Sequence, residues 1–108
     1  MTDFAHSRWN TTYQTPGGPQ LAIVNFNDDK GSYDIVDSAG NVIDSGLMDN
    51  VKYFVTSDSV WIITGHWSID AVTGAFQFTS AGGPDDFTGG WLFTPPHSGG
   101  GAWTGHRI

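Results

Sequence analysis

Apolar and polar residues alternate along most of this chain, the period-2 signature of strands with one face buried. Residues 60–69 place Trp61, Ile63, Gly65, Trp67 and Ile69 on one face and Val60, Ile62, Thr64, His66 and Ser68 on the other. Residues 75–79 set Phe76 and Phe78 against Gln77, and 87–94 gather Phe87, Gly89, Trp91 and Phe93. At the end of the chain Trp103, Gly105 and Arg107 share a face, with Thr104, His106 and Ile108 opposite. Near the start, Arg8 to Tyr13 carries Trp9 and Tyr13 on one side. Leu21 to Phe26 is apolar on both faces, which predicts a strand covered on both sides. Segment 41–47 is weakly patterned and is expected as an edge strand or a wide loop.

Turn signals punctuate these segments at short intervals. They are Pro16 to Pro19, Asp28 to Gly31, Ser38 to Asn41, Met48 to Asn50, Ser57 to Ser59, Asp70 to Gly74, Ala81 to Asp86 and Pro95 to Gly101. Eight breaks leave nine short segments, none long enough for a helical crossover between parallel strands. Helix formers are scarce, with no Glu and only three Leu, two Met and two Lys, whereas fifteen Gly, eleven Thr and fifteen aromatics suit strands and tight turns. The reading is all-β: one domain over 1–108, an antiparallel up-and-down meander of about eight short strands. Glycine decides between a closed barrel and a sandwich. Thr64-Gly65-His66-Trp67, Thr88-Gly89-Gly90-Trp91 and Gly101-Ala102-Trp103-Thr104-Gly105 each hold a Gly two residues from a Trp on the same face. Barrel closure needs such bends and leaves room there for large rings. A small closed barrel is therefore expected.

Charge narrows the partners. The 108 residues carry eleven acids, all Asp, against four Lys and Arg, a net charge of −7. Nucleic acid is not an expected partner, because phosphate binding needs clustered cations. There is no cysteine, so disulfides, thiolate metal sites and thiol catalysis are excluded. No apolar run approaches the ~20 residues of a membrane helix. Met1 to Trp9 lacks the basic start and apolar core of a secretory signal, so a cytoplasmic location is expected.

A short antiparallel barrel that opens on a Trp strand, at Trp9, and closes on an Arg strand, at Arg107, resembles the calycins: lipocalins, fatty-acid-binding proteins and avidins. The resemblance implies that Trp9 and Arg107 stack to seal one end, a guanidinium lying on an indole. Trp9-Asn10-Thr11, Gly31-Ser32-Tyr33 and Ile63-Thr64-Gly65-His66-Trp67 resemble, in order, three strands of the avidins. Ser7 stands where calycins usually carry Gly. Tyr33 matches a ligand position of the family, but Thr11 replaces an Asn, and Phe76, Phe78 and Phe87 stand at the positions of the biotin-cage tryptophans. The last strand has no Asp for the ureido group. Biotin's buried polar atoms would go unpaired at about 1–3 kcal/mol each, so biotin is not the expected ligand.

Four histidines invite an acid–base or metal reading. His66 and His106 would converge if their strands were neighbours, with Asp70 or Asp86 completing a site, but no metal-ligand spacing occurs and solvent-facing imidazoles are the simpler reading. Asp28-Asp29 and Asp85-Asp86 sit in turns, where Asp caps its own backbone. His97-Ser98 lies in a Pro- and Gly-rich loop of the kind that can cover a barrel mouth. No catalytic constellation, metal site or cofactor is expected. Five Trp in so short a chain point instead to a pocket or a packed core. An apolar or aromatic small molecule is expected among Tyr33, Trp67, Phe78, Trp91 and Trp103, whose faces meet in the interior of a meander barrel. Two alternatives stand beside this: a barrel cyclase or isomerase that shapes a reactive substrate, and a carbohydrate-binding or structural module without a cavity. The scarcity of charge also favours a homo-oligomer.

Overall fold

The computed structural model describes residues 4–57, 60–80, 85–95 and 99–108. A 3₁₀ turn over Phe4–His6 leads into eight strands: β1 Arg8–Thr15, β2 Gly18–Asn27, β3 Lys30–Val36, β4 Val42–Ser57, β5 Val60–Ile69, β6 Val72–Ser80, β7 Asp86–Phe93 and β8 Gly100–Arg107. Each pairs antiparallel with the next, and β8 returns to β1 with Trp9 opposite Arg107 and Tyr13 opposite Trp103. The sheet is thus a closed up-and-down barrel with every strand paired on both sides, the arrangement that removes sheet edges.

Turn chemistry sets the hairpins. The Asp37 carboxylate accepts hydrogen bonds from the backbone N–H of Ala39 and of Asn41, each at 2.9 Å. These bonds, the one from Asn41 foremost, hold the Asp37 carboxyl below the usual carboxylate range. Asp28 and Asp70 take left-handed backbone in the β2–β3 and β5–β6 turns, a conformation that Asp tolerates better than most residues.

Three local expectations change. Met48-Asp49-Asn50 is not a turn: the register of β4 against β5 shifts between Asp49 and Lys52, and Asn50 sits at φ 51°. A bulge absorbs the turn residues within one 16-residue strand, so nine segments become eight strands. Segment 41–47 is strand from Val42 onward, paired to β3, and it reaches β5 only at Leu47. Its pattern is weak because Gly46 must admit the Tyr33 ring, which a Cβ there would meet at 2.2 Å, while Val42, Ile43 and Leu47 are exposed. In β2, Ala22, Val24 and Phe26 are buried, but Leu21 on the outer face is 44% exposed. A single closed sheet covers only its inner face, so that strand is not covered on both sides.

The interior is aromatic from end to end. At the end where the chain begins, Phe4 packs on Trp61 with centroids 4.5 Å apart, and Trp61 lies 5.4 Å from Trp9. The 3₁₀ turn is tied down by Phe26 N–H to the Ser7 carbonyl at 2.9 Å and Asp28 N–H to the Ala5 carbonyl at 2.8 Å. Ser7 does what a glycine cannot: its hydroxyl donates to the Phe4 carbonyl and accepts from Trp9 Nε1, at 2.7 and 2.9 Å. The Arg107 guanidinium carbon lies 5.8 Å from the ring centroids of both Phe4 and Trp9. Midway along the barrel Phe78, fully buried, stacks on Phe87 at 4.0 Å. Gly105 makes room there, since a Cβ on it would stand 2.3 Å from the Phe87 ring.

Candidate functional site

Among the described residues, the opposite end of the barrel is not filled. A cavity of about 230 Å³ opens there, lined by Tyr13, Thr15, Pro16, Tyr33, Trp67, Ile69, Val72, Trp91, Phe93 and Trp103. Strand alternation turns the six rings inward, and the direction of each strand brings them to one height. Tyr13 stands near the end of β1, Trp67 and Phe93 near the ends of β5 and β7, and Trp103 near the start of β8.

The rings brace one another edge to face. Trp67, Trp91 and Phe93 form a corner of nearly perpendicular planes, with centroids 5.9, 5.7 and 5.0 Å apart and angles of 79°, 67° and 87°. Tyr13 meets Trp91 at 89° and Tyr33 meets Trp103 at 79°. This is the favoured geometry for ring quadrupoles.

Backbone carbonyls fix two of the three tryptophans. Trp67 Nε1 donates to the Ala75 carbonyl at 3.2 Å. Trp91 Nε1 donates to the Gln14 carbonyl of β1 at 3.1 Å, reaching across Gly101, whose Cβ would stand 3.1 Å from that nitrogen. Trp103 Nε1 is fully buried and meets no hydrogen-bond partner among the described residues. The Trp103 ring stands 5.1 Å from Phe78 at 74°.

Two phenols complete the wall. Burial, then the neighbouring Tyr13 and the carboxylates of Asp44 and Asp70, push the Tyr33 hydroxyl well above the ordinary tyrosine range. Burial, then Asp44, raises Tyr13. Both are neutral at ordinary pH and act as hydrogen-bonding groups rather than as bases.

Of the residues expected to bind ligand, Tyr33, Trp67, Trp91 and Trp103 line this cavity together. Phe78 does not: it lies one layer deeper, fully buried against Phe87. Tyr13 and Phe93 are lining residues that sequence reasoning passed over. Their signal was present, since Tyr13 shares a face with Trp9 and Phe93 with Trp91, each toward the mouth end of its strand.

The histidines do not converge. His66 and His106 stand on β5 and β8 with two strands between them. His106 Nδ1 lies 2.5 Å from the Asp86 carboxylate, His66 Nδ1 3.8 Å from Asp49, and His6 Nε2 3.2 Å from Asp28, all exposed. No cluster of three or more metal-ligating side chains occurs among the described residues. His97 and Ser98 lie outside the described residues. A broader furrow of about 730 Å³ crosses the outer wall over β4 to β8, past Asn50, Lys52, Thr64, His66, Gln77 and Leu92. It is an open trough with five glycines among its lining residues.

No known protein family, curated protein or solved structure matches this chain. The chemistry of the open end is what remains to carry a functional reading.

Proposed function

We propose that this protein is a binding barrel of calycin type that takes a compact apolar or aromatic small molecule in its open end, and that the molecule is not biotin. The observation that carries the reading is the cavity of about 230 Å³ walled by six aromatic rings. An eight-stranded barrel has room for at most one small ligand. A dry cavity of roughly 150 Å³ suffices for benzene, so this one suits a one- or two-ring molecule. The closed eight-strand meander and the Trp9–Arg107 contact at the far end support the calycin comparison. Thr11 argues against biotin. It stands where the avidins carry Asn, and its hydroxyl is buried and spent on the Ala22 carbonyl at 2.7 Å. Binding is favoured over turnover because the wall supplies two neutral phenols but no carboxylate or imidazole.

The test is a panel of one- and two-ring compounds read by tryptophan fluorescence and by calorimetry at several temperatures. Binding with a changed emission and a negative heat-capacity change is the expected result. Trp91→Ala should then weaken the best compound at least about tenfold, one ring's buried area being worth more than ~1.4 kcal/mol. Unchanged emission across the panel would overturn the reading.

A further inference from the structure

The proposed ligand site also carries a charge preference, an inference that rests on the open end being the binding site. We infer that the ligand is a small organic cation, a quaternary ammonium or protonated amine on an apolar or aromatic body, held against ring faces at the mouth.

Three observations converge on this class. First, Trp67 and Trp91 donate their indole N–H groups to backbone carbonyls, and Trp103 Nε1 is fully buried. The wall therefore presents mainly π surface, with the Tyr13 and Tyr33 phenols and the Thr15 hydroxyl as its polar groups. Second, Trp67, Trp91 and Phe93 meet at angles of 67° to 87° in a corner of nearly orthogonal planes. Such a corner offers several ring faces to one compact ligand, and a desolvated cation over indole gains most from this. A neutral hydrocarbon would fill the same space without using the quadrupoles.

Third, Asp residues stand at both ends of the barrel, but Lys and Arg keep away from the mouth. Asp70 occupies the β5–β6 turn between the lining residues Ile69 and Val72. Asp44 stands in β4 opposite Ile35, on the face that carries Gly46 and Met48 inward. Both lie near enough to Tyr33 for their charges to act on its hydroxyl. The four Lys and Arg stand elsewhere: Arg8, Lys30 and Arg107 at the far end, and Lys52 exposed midway along β4. With a net charge of −7 the protein draws cations toward itself, and at the mouth Asp44 and Asp70 act with no Lys or Arg to offset them among the described residues. An anionic ligand would meet two carboxylates and no counter-charge among the described residues.

An isosteric pair separates the charge preference from the site itself. Phenyltrimethylammonium and tert-butylbenzene have nearly the same shape and differ in the charge of one atom. Both are titrated into the intact protein by calorimetry, with tryptophan fluorescence alongside. The cation is expected to bind about tenfold tighter or more, a margin within reach of a desolvated cation–ring contact. Asp44→Asn with Asp70→Asn should cut that margin at least threefold and leave tert-butylbenzene unchanged. Asn preserves the left-handed turn at position 70 and the hydrogen bond that Asp44 accepts from the Ser45 N–H, so the fold is kept. Equal or tighter binding of tert-butylbenzene overturns the charge preference while leaving the site intact. Binding of neither compound overturns the site and the inference together. An undiminished margin in the double Asn variant overturns the role given to Asp44 and Asp70.

Discussion

Phe78→Ala tests whether the barrel interior is layered as described, with a dry aromatic core beneath an open cavity. The Phe78 ring is fully buried. Four rings surround it, with centroids at 4.0 Å for Phe87, 4.8 Å for Phe76, 5.1 Å for Trp103 and 6.2 Å for Phe26. Removing a buried Phe side chain costs about 3–5 kcal/mol, and the spread follows how well the neighbours collapse into the void. Here the neighbours are rigid rings on strands of a closed sheet, so none can move inward without leaving its own contacts. The expected loss is therefore in the upper part of that range, ~4 kcal/mol. Against a total of about 5–15 kcal/mol for a domain, that leaves the variant folded but marginal. Urea unfolding followed by tryptophan emission reads the loss. With a slope of ~1–3 kcal/mol/M, the midpoint should fall by roughly 2 M. Phe78→Leu should recover more than half of it, because most of the volume is restored. A loss below ~1 kcal/mol, the worth of about one buried methylene, would refute the layered core and place Phe78 in the cavity wall after all.

Two further outcomes follow from the same geometry. Arg107→Lys keeps the charge but loses the planar contact with Phe4 and Trp9, and should lower stability by about 0.5–1 kcal/mol in the same urea assay; an unchanged midpoint would remove the stacking argument. In an alkaline titration followed by ultraviolet absorbance, Tyr33 and Tyr13 should ionise above the ordinary tyrosine range near ~10. The folded state favours their protonated form, so the associated stability is fully present below that value. It is lost as the pH rises from there toward the folded pKa. Tyr33→Phe should remove part of the alkaline loss, and ionisation of all three tyrosines at the free value would contradict the burial of the mouth.

Period-2 alternation was a sufficient guide to the inward faces because barrel strands have one buried side and no ambiguity of register. Trp61, Ile63 and Trp67 of β5, and Phe76 and Phe78 of β6, are buried as the pattern implies. The pattern failed where local chemistry mimicked a boundary. Met48-Asp49-Asn50 has turn composition, and its Asn does adopt left-handed backbone, but the strand continues because both neighbours already bind it. At 42–47 the alternation is hidden by Gly46, an inward position emptied for a ring from another strand. Depth along the barrel axis was not legible at all. Phe78 and Trp103 share an inward orientation, yet one lies below the cavity and the other lines it. That difference depends on the stagger between strands, which no single segment encodes.

Strand parity explains why the open end is where it is. In an up-and-down barrel with an even number of strands, the first strand begins and the last strand ends at the same rim. Here that rim carries the Phe4–His6 turn before β1 and Arg107 at the end of β8. Terminal segments are free to fold across a rim, because nothing obliges them to return along the sheet. Phe4 does so, closing over Trp61 and under the Arg107 guanidinium. The other rim carries the chain reversals at 16–17, 37–41, 70–71 and 94–99, and those at 16–17 and 70–71 are two residues long, enough to join adjacent strands and too short to roof the interior. The seam that closes the barrel runs from Trp9 opposite Arg107 at the sealed end to Tyr13 opposite Trp103 at the mouth. The mouth is bounded by chain reversals and by rings that brace one another, among them Trp103, which also packs on Phe76 and Phe78. Tyr13 and Trp103 therefore hold the barrel closed as well as lining the cavity. Trp67 and Phe93 lie off the seam, so substitutions at those two can alter which ligand is accepted at less cost to the closed sheet.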